Sequence, residues 1–246
     1  MKFLVLFLKS ILDIKRHKIQ IRAQSSNPFS TLLLVIFLCL VGIHCQPSES
    51  EPNPNQVPYF SGKDFDPIWT DHPEKNTNLK QVPNSLGLIE HTGKQIYPKD
   101  WAPKESLVVF FYATCRGICP LITRNILQIQ PQLSEFPDLK ILSLSINSKA
   151  DTVPVLQKYM ESYKIQNQNW SFYTGKESEI ETFAKGTCGA EMEGFSVERG
   201  KYEFVHTENI FLFDKNQYLR GIYRAKGTGD IQRLVEDIRK LRKQIN

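Results

Sequence analysis

The chain has 246 residues, of which 41% are hydrophobic and 23% charged, a composition typical of a globular protein that excludes the disordered and fibrous classes. Its formal net charge of +5 belongs to residues 1–45, which contain six basic side chains and one acidic side chain. The rest of the chain carries equal numbers of acidic and basic side chains. We therefore expect no nucleic-acid partner, because phosphate binding needs a net basic face.

Residues 1–45 have the pattern of a leader. Basic residues extend to Arg22 and are followed by the apolar run Thr31–Ile43. A helix of this length spans about 20 Å against a hydrocarbon core of about 30 Å, which is typical of an export signal or of a short membrane anchor. Cys45 lies where the acylated cysteine of a lipoprotein would lie, although His44 precedes it in place of a small residue. Lipidation, an uncleaved anchor and ordinary processing stay open, and we expect the domain to be held at the cell membrane on the periplasmic side.

The segment Gln46–Pro58 lacks periodicity and is rich in Pro, Asn, Ser and Glu, which predicts a disordered tether. One domain is expected over residues 59–246, beginning with the irregular segment Tyr59–Pro83. No internal repeat or heptad pattern interrupts it.

Strands and helices alternate along this domain. The turn at Gly93 between two short apolar segments indicates a hairpin, and the continuous apolar run Ser106–Tyr112 is typical of a strand buried on both faces. The predicted elements are a hairpin of Leu86–Glu90 and Lys94–Tyr97, strand Ser106–Tyr112, helix Pro120–Gln130 ending at Pro131, strand Leu139–Ile146, a helix from Asp151 to Tyr163, strand Trp170–Tyr173, helix Glu177–Ala184, a hairpin of Asn209–Phe213 and Tyr218–Tyr223, and helix Asp230–Lys243. This order predicts an α/β fold, a three-layer α/β/α sandwich with an N-terminal β-hairpin extension.

Two cysteines follow the buried strand, in the sequence TCRGICP. Cys115 and Cys119 lie where the buried strand ends and the Pro120 helix begins, and the dipole at a helix N-terminus favours a thiolate. Their spacing brings the sulfurs one turn apart, close enough to share a soft metal ion or to form a disulfide. Two buried cysteines acting as small hydrophobic residues are the alternative, but a glycine-containing turn after a strand favours exposed chemistry. A single pair is too few for the usual four-ligand zinc site.

Three histidines lie in the predicted domain. His72 and His91 lie in the irregular segment and in a hairpin turn, and we expect both to be solvent-exposed. His206 precedes an apolar strand and is the best candidate for a third ligand. Two thiolates and one imidazole suit copper, because Cu(I) prefers soft sulfur ligands. Cys188 is expected to be a loop cysteine without a chemical role, and a third redox or transfer thiol is the alternative.

Five segments carry a resemblance to a known family: VVFFYATCRGICPLITRNI, ILSLSINSKADTVPVLQKYMESY, WSFYTGKESEI, VHTENIFLFDKNQYLRGIY and IQRLVEDIRKL. With them, the chain from about Pro58 to Lys243 resembles the SCO/SenC family, thioredoxin-fold copper proteins of cytochrome c oxidase assembly. The resemblance implies a thioredoxin-like fold and one copper ion, Cu(I) or Cu(II), bound by Cys115, Cys119 and His206. It also implies that copper is delivered to an oxidase subunit, or that the thiols of that subunit are reduced.

Two positions depart from the family pattern. Arg116 stands where the family usually has proline, and it adds a cation beside the thiolates. Asn147-Ser148 stands where the family commonly has Asp-Pro, which removes a carboxylate near the site.

The sequence is compatible with three functions. The leading interpretation is a membrane-tethered copper metallochaperone with a monomeric soluble domain. The alternatives are a copper-independent thiol-disulfide oxidoreductase that uses Cys115 and Cys119 as a redox pair, and a redox or copper sensor. His206 distinguishes the first from the second, since a disulfide exchanger does not need this side chain as a ligand.

Overall fold

The structure, a computed structural model, describes residues 53–197 and 201–244, with only the backbone described between 192 and 206. The chain divides into two units, Met1–Ser48 and Glu49–Asn246, and every described residue belongs to the second unit. The predicted leader with Cys45, and the tether before residue 53, lie outside the described residues. No helix in the described part of the chain is long and apolar enough to cross a membrane.

The strands and helices form a mixed α/β domain. The strands are β1 Tyr59–Ser61, β2 Asp66–Ile68, β3 Leu88–Glu90, β4 Gln95–Ile96, β5 Ser106–Phe111, β6 Lys140–Ser145, β7 Trp170–Gly175, β8 Met192–Val197, β9 Lys201–His206, β10 Asn209–Phe213 and β11 Leu219–Arg224. The helices are α1 Cys119–Leu133, α2 Val153–Ser162, α3 Glu177–Cys188 and α4 Thr228–Gln244.

A seven-stranded sheet forms the centre, with the strand order β11-β10-β5-β6-β7-β3-β4. Strands β5, β6 and β7 run parallel, whereas β10 and β3 pair antiparallel to their neighbours β5 and β7. All six residues of β5 are buried, as expected for a strand covered on both faces. The carboxyl ends of β5 and β6 therefore meet at one edge of the sheet.

Helices cover both faces of this sheet. Neighbouring side chains of β5 point to opposite faces: the Phe111 ring packs on Tyr159 of α2 at 5.1 Å between centroids, and Phe110 packs on Phe183 of α3 at 6.0 Å. A hydrogen bond of 2.9 Å between the Thr123 and Tyr159 hydroxyls holds α1 beside α2, and α4 also packs against α1. The predicted α/β/α sandwich is confirmed, as is the hairpin of β3 and β4 before β5.

Two helix ends differ from the prediction. Helix α1 does not end before Pro131 but includes it and continues to Leu133. Because Pro131 lies in the last turn, only one main-chain hydrogen bond is lost, and the Ser134 hydroxyl donates to the Pro131 carbonyl at 2.6 Å. Helix α3 continues past Ala184 to Cys188 and ends at Gly189, whose φ of 63° is the left-handed conformation of a C-terminal cap.

Two hairpins were not predicted. Strands β1 and β2 pair antiparallel within the segment expected to be irregular, and β8 pairs antiparallel with β9 between α3 and β10. The first pair has only three residues in each strand, too few to show an alternating pattern. In the second pair, Glu193, Gly194 and Glu203 have low strand propensity and obscure the apolar alternation.

The end of the predicted tether contacts the domain through a buried arginine. The side chain of Arg220 on β11 pairs with Asp214 at 2.8 Å, and both side chains are about 95% buried. The same guanidinium donates to the carbonyl oxygens of Pro58 at 3.0 Å and Val57 at 2.5 Å. Val57 itself is 1% exposed. Arg220 thus links Val57 and Pro58, at the end of the predicted tether, to the sheet.

Replacing Arg220 with methionine is expected to lower the free energy of unfolding by about 3 to 5 kcal/mol, because the carboxylate of Asp214 is then buried without its counter-ion. The double variant Arg220→Met/Asp214→Asn is expected to recover more than half of this loss, since it removes the uncompensated charge. Urea denaturation followed by tryptophan fluorescence measures both values. Equal losses in the single and double variants would show that the ion pair does not carry the effect.

Candidate functional site

The site begins at the carboxyl end of strand β5. After β5 the chain makes a turn in which the Cys115 amide donates to the carbonyl of Tyr112 at 3.1 Å. Helix α1 then begins at Cys119, with Pro120 in its first turn, a position where proline is well tolerated. The local sequence thus predicts both the strand and the helix, and the two cysteines lie at the junction between them.

The two thiols lie side by side in different environments. Neither cysteine is in a disulfide, and the Cys115 side chain is within hydrogen-bonding reach of Cys119. Cys119 is fully buried, whereas Cys115 is half-buried and reaches the surface. Gly117 completes the turn, and a side chain there would begin 3.9 Å from the Cys115 sulfur. Cys115 is therefore the more accessible of the two cysteines, and the buried Cys119 lies within hydrogen-bonding reach of it.

The protonation state of Cys119 differs from the expectation. Burial raises the pKa of the Cys119 thiol far above its ordinary value, and the neighbouring Cys115 raises it further, while a backbone hydrogen bond involving Tyr112 lowers it in part. The helix terminus does not outweigh the loss of hydration at this position. Cys119 is a neutral thiol at neutral pH when nothing is bound to it.

The buried carboxylate of Asp151 forms a hydrogen bond with the start of this turn. Oδ2 of Asp151 accepts the Ala113 amide at 2.9 Å and the Ser145 hydroxyl at 2.6 Å, so that it joins the ends of β5 and β6. Asp151 is fully buried, and its Oδ1 has no hydrogen-bond partner among the described residues. Burial raises the pKa of Asp151, against the lowering effect of its two hydrogen bonds. The sequence predicted Asp151 only as the start of a helix; its place in the loop after the buried strand β6 was the signal for a role at the site.

The backbone of His206 is described and its side chain is not. His206 is the last residue of β9 and pairs with Met192 on β8, one residue before the Thr207 amide donates to the Glu191 carbonyl at 3.1 Å. Strand β10, the neighbour of β5, begins at Asn209. Among the described side chains, no three His, Cys, Asp or Glu residues form a group that could hold a metal ion.

The other candidates lie outside the thiol site. His72 is solvent-exposed as expected, with its Nδ1 3.2 Å from a carboxylate oxygen of Glu74. His91 is half-buried instead of exposed, because its Nδ1 accepts the Phe172 amide at 3.4 Å. Cys188 is not in a loop: it ends α3, is 1% exposed, and burial raises its pKa well above the ordinary value. Cys188 packs as a small neutral residue.

The sequence profile of the SCO1/SenC family matches residues 74–243, well over half of the chain. The chain belongs to the SCO1/SenC family. It is 29% identical over 122 residues to the SCO1 protein homolog of Bacillus subtilis, covering 49% of this chain and 62% of that protein. It is 30% identical over 82 residues to protein SenC of Rhodobacter capsulatus, covering 33% of this chain and 37% of that protein. The chain thus spans less than two thirds of the length of either relative.

Solved structures of this family share the fold. A SCO1/SenC family lipoprotein from Bacillus anthracis superimposes with a TM-score of 0.59 at 21% identity, covering 66% of this chain and 95% of that one. ScoI of Bradyrhizobium japonicum, solved with copper bound, superimposes with a TM-score of 0.51 at 19% identity, covering 64% and 96%. These SCO1/SenC structures confirm the predicted thioredoxin-like fold.

Proposed function

We propose that this protein binds one copper ion through the thiolates of Cys115 and Cys119 and the imidazole of His206, and delivers it to a subunit of cytochrome c oxidase. The observation that carries the proposal is the reduced thiol pair, with one sulfur accessible and the other buried, at a strand-to-helix junction of a SCO1/SenC domain. Solved structures of SCO1/SenC proteins from Bradyrhizobium japonicum and yeast contain copper, which supports the same cargo here.

Each ligand has a distinct part in this proposal. Cys115 reaches the surface and is the sulfur through which copper enters and leaves. Cys119 lies behind it and loses its proton when copper binds, because only the thiolate is a ligand. Two thiolates satisfy Cu(I), and the imidazole of His206 completes a site that also accepts Cu(II). A half-exposed sulfur leaves room for ligand exchange with a partner.

The proposal includes a location. The predicted leader of residues 1–45 would keep the domain at the membrane, on the side where an oxidase copper centre is assembled, and a SCO1/SenC structure from Bacillus anthracis is described as a lipoprotein. Arg220 would fasten the end of the tether to the sheet. The mass of the chain isolated from membranes distinguishes a lipidated Cys45 from an uncleaved anchor.

Copper binding is tested with the full chain in detergent, titrated with Cu(I) against a competing chelator. About one copper per chain is expected for the wild type and for Cys188→Ala, whose buried thiol lies at the end of α3. Cys115→Ser and Cys119→Ser are each expected to bind no copper at the same chelator concentration. Binding that persists in both serine variants would contradict the proposed ligand set. Transfer is tested by the copper content of oxidase in cells that carry the Cys115→Ser/Cys119→Ser variant.

A thiol-disulfide oxidoreductase is the second candidate, favoured by the reduced and adjacent thiols. In that reaction, the Cys115 thiolate attacks a target disulfide and releases one target thiol, and Cys119 then displaces the second and leaves a Cys115–Cys119 disulfide. This exchange does not need His206. This candidate would be favoured if the wild type and His206→Ala reduced a target disulfide at the same rate. The wild type would also have to bind copper too weakly to compete with the chelator.

A further inference from the structure

Two arginines beside the thiols differ from the other arginines that the structure describes. The described residues include seven arginines, of which Arg116 and Arg124 make no ion pair or side-chain hydrogen bond within the described part of the chain. The other five pair with carboxylates at 3.1 Å or less; they are Arg220, Arg224, Arg233, Arg239 and Arg242. The two unpaired guanidinium groups thus lie on the turn and first helix of the candidate site.

An exposed leucine, Leu121, lies between the two arginines in the sequence. Leu121 and Arg124 are three residues apart on α1, so their side chains are neighbours on one face, while Arg116 lies in the turn between the cysteines. Leu121 is 36% exposed and is, with Tyr97, one of two large hydrophobic side chains exposed among the described residues, although its neighbour Ile122 belongs to the buried face of α1. We call Arg116, Leu121 and Arg124 the basic patch.

Several other charged side chains described at this edge of the sheet form ion pairs within the chain. Lys149 pairs with Glu177 at 3.0 Å, and Lys226 pairs with Glu208 at 2.6 Å. The carboxylate of Asp230 pairs with two further arginines at 3.1 Å and 2.8 Å. Because these side chains are paired and Arg116 and Arg124 are not, the two arginines carry positive charge that stays available to another molecule.

We propose that the basic patch docks the protein that receives the copper, through a surface of carboxylates around an apolar residue. This inference rests on the proposed function and names the chemistry of its partner. Guanidinium groups bind carboxylates through paired hydrogen bonds, and the leucine between them supplies the apolar centre that such contacts require. Arg116 directly follows Cys115, and Arg124 lies on the helix that begins at Cys119, so docking here would bring the partner's ligands to the copper. An anionic membrane is disfavoured, because each basic residue adds only about 1 kcal/mol and the patch has two.

The test compares the wild type with Arg116→Glu/Arg124→Glu, both as full chains in detergent and loaded with one Cu(I). The probe is the copper-free form of the copper-accepting oxidase subunit, and the readout is the second-order rate of copper transfer over a range of salt concentrations. The charge reversal is expected to slow transfer about tenfold or more at low salt, with a difference that shrinks as salt rises. Lys63→Glu/Lys94→Glu, which changes two exposed lysines outside the patch by the same charge, is expected to transfer at the wild-type rate.

Three outcomes would overturn the inference. They are wild-type transfer by Arg116→Glu/Arg124→Glu at all salt concentrations, a slowing that does not depend on salt, or an equal slowing in the lysine control. Binding to phosphatidylglycerol vesicles that this arginine variant loses, with transfer in solution unchanged, would instead assign the patch to the membrane. A wild-type chain that binds no copper contradicts the proposed function, and that result is distinct from all of these.

Discussion

Replacing His206 with alanine is expected to lower the affinity of the full chain for Cu(II) by at least about a hundredfold. This loss exceeds that for an outer-shell partner of a ligand, which costs about 10- to 100-fold. Affinity for Cu(I) is expected to fall less, because two thiolates alone satisfy that ion. The thiolate-to-Cu(II) charge-transfer absorption is expected to disappear, since two sulfurs without an imidazole make a poor Cu(II) site. Competition titrations and absorption spectra measure these changes.

His72→Ala is the matched control for this experiment. The His72 side chain is 64% exposed and its Nδ1 lies 3.2 Å from a carboxylate oxygen of Glu74, so both copper affinities are expected to match the wild type. Unchanged Cu(II) binding in His206→Ala would contradict the three-ligand site. A similar loss in His72→Ala would show that the effect does not belong to His206.

Asp151→Ala is expected to lower the free energy of unfolding by about 3 kcal/mol, because the Ala113 amide and the Ser145 hydroxyl both lose their buried acceptor. Asp151→Asn keeps an oxygen acceptor and is expected to lose less than half as much. Asp64→Ala, at an exposed position, is expected to change stability by less than about 0.5 kcal/mol. A loss in Asp151→Asn equal to that in Asp151→Ala would contradict the role of the accepting oxygen.

The stability that depends on Asp151 has a defined pH dependence. Burial raises the pKa of this carboxyl in the folded protein, so the folded state holds the proton more tightly than the unfolded chain, where the pKa is about 3.9. The resulting contribution is fully present below the unfolded pKa and is lost as the pH rises through the folded pKa. The stability of the wild type relative to Asp151→Asn is therefore expected to decrease as the pH rises above about 4. A constant difference across this range would show that Asp151 stays ionised.

Local hydrophobic patterns in the sequence predicted most of the strands and helices of the central sheet. The apolar run of β5 and the spacing of Ile122, Ile126 and Ile129 on α1 predict a buried strand followed by an amphipathic helix, and both are present. The cysteines could be placed at the strand-to-helix junction for the same reason. These features depend on residues within a few positions of one another, so their physical causes are visible in the sequence.

The links that hold the site and the tether depend on distant residues. Asp151 holds Ala113, 38 positions earlier, and Arg220 holds Val57, 163 positions earlier. Neither pair produces a periodic pattern, because each contact exists only after the sheet brings β5 beside β6 and β11 beside the N-terminal segment. The hairpin of β8 and β9 was missed for a different reason, since its polar residues hide the alternation.

The protonation of Cys119 depends both on its position in the sequence and on its burial in the tertiary structure. Its position at the start of a helix follows from the sequence, and the helix dipole alone predicts a thiolate. Burial by the surrounding layers raises its pKa instead, because desolvation of a charge exceeds the effect of the helix terminus. The sequence by itself determines the family membership, strand β5, helix α1 and the spacing of the two thiols. Only the tertiary structure decides which thiol is buried, which carboxylate supports the turn and which arginines stay unpaired. The reason is that each depends on how the packed layers exclude water.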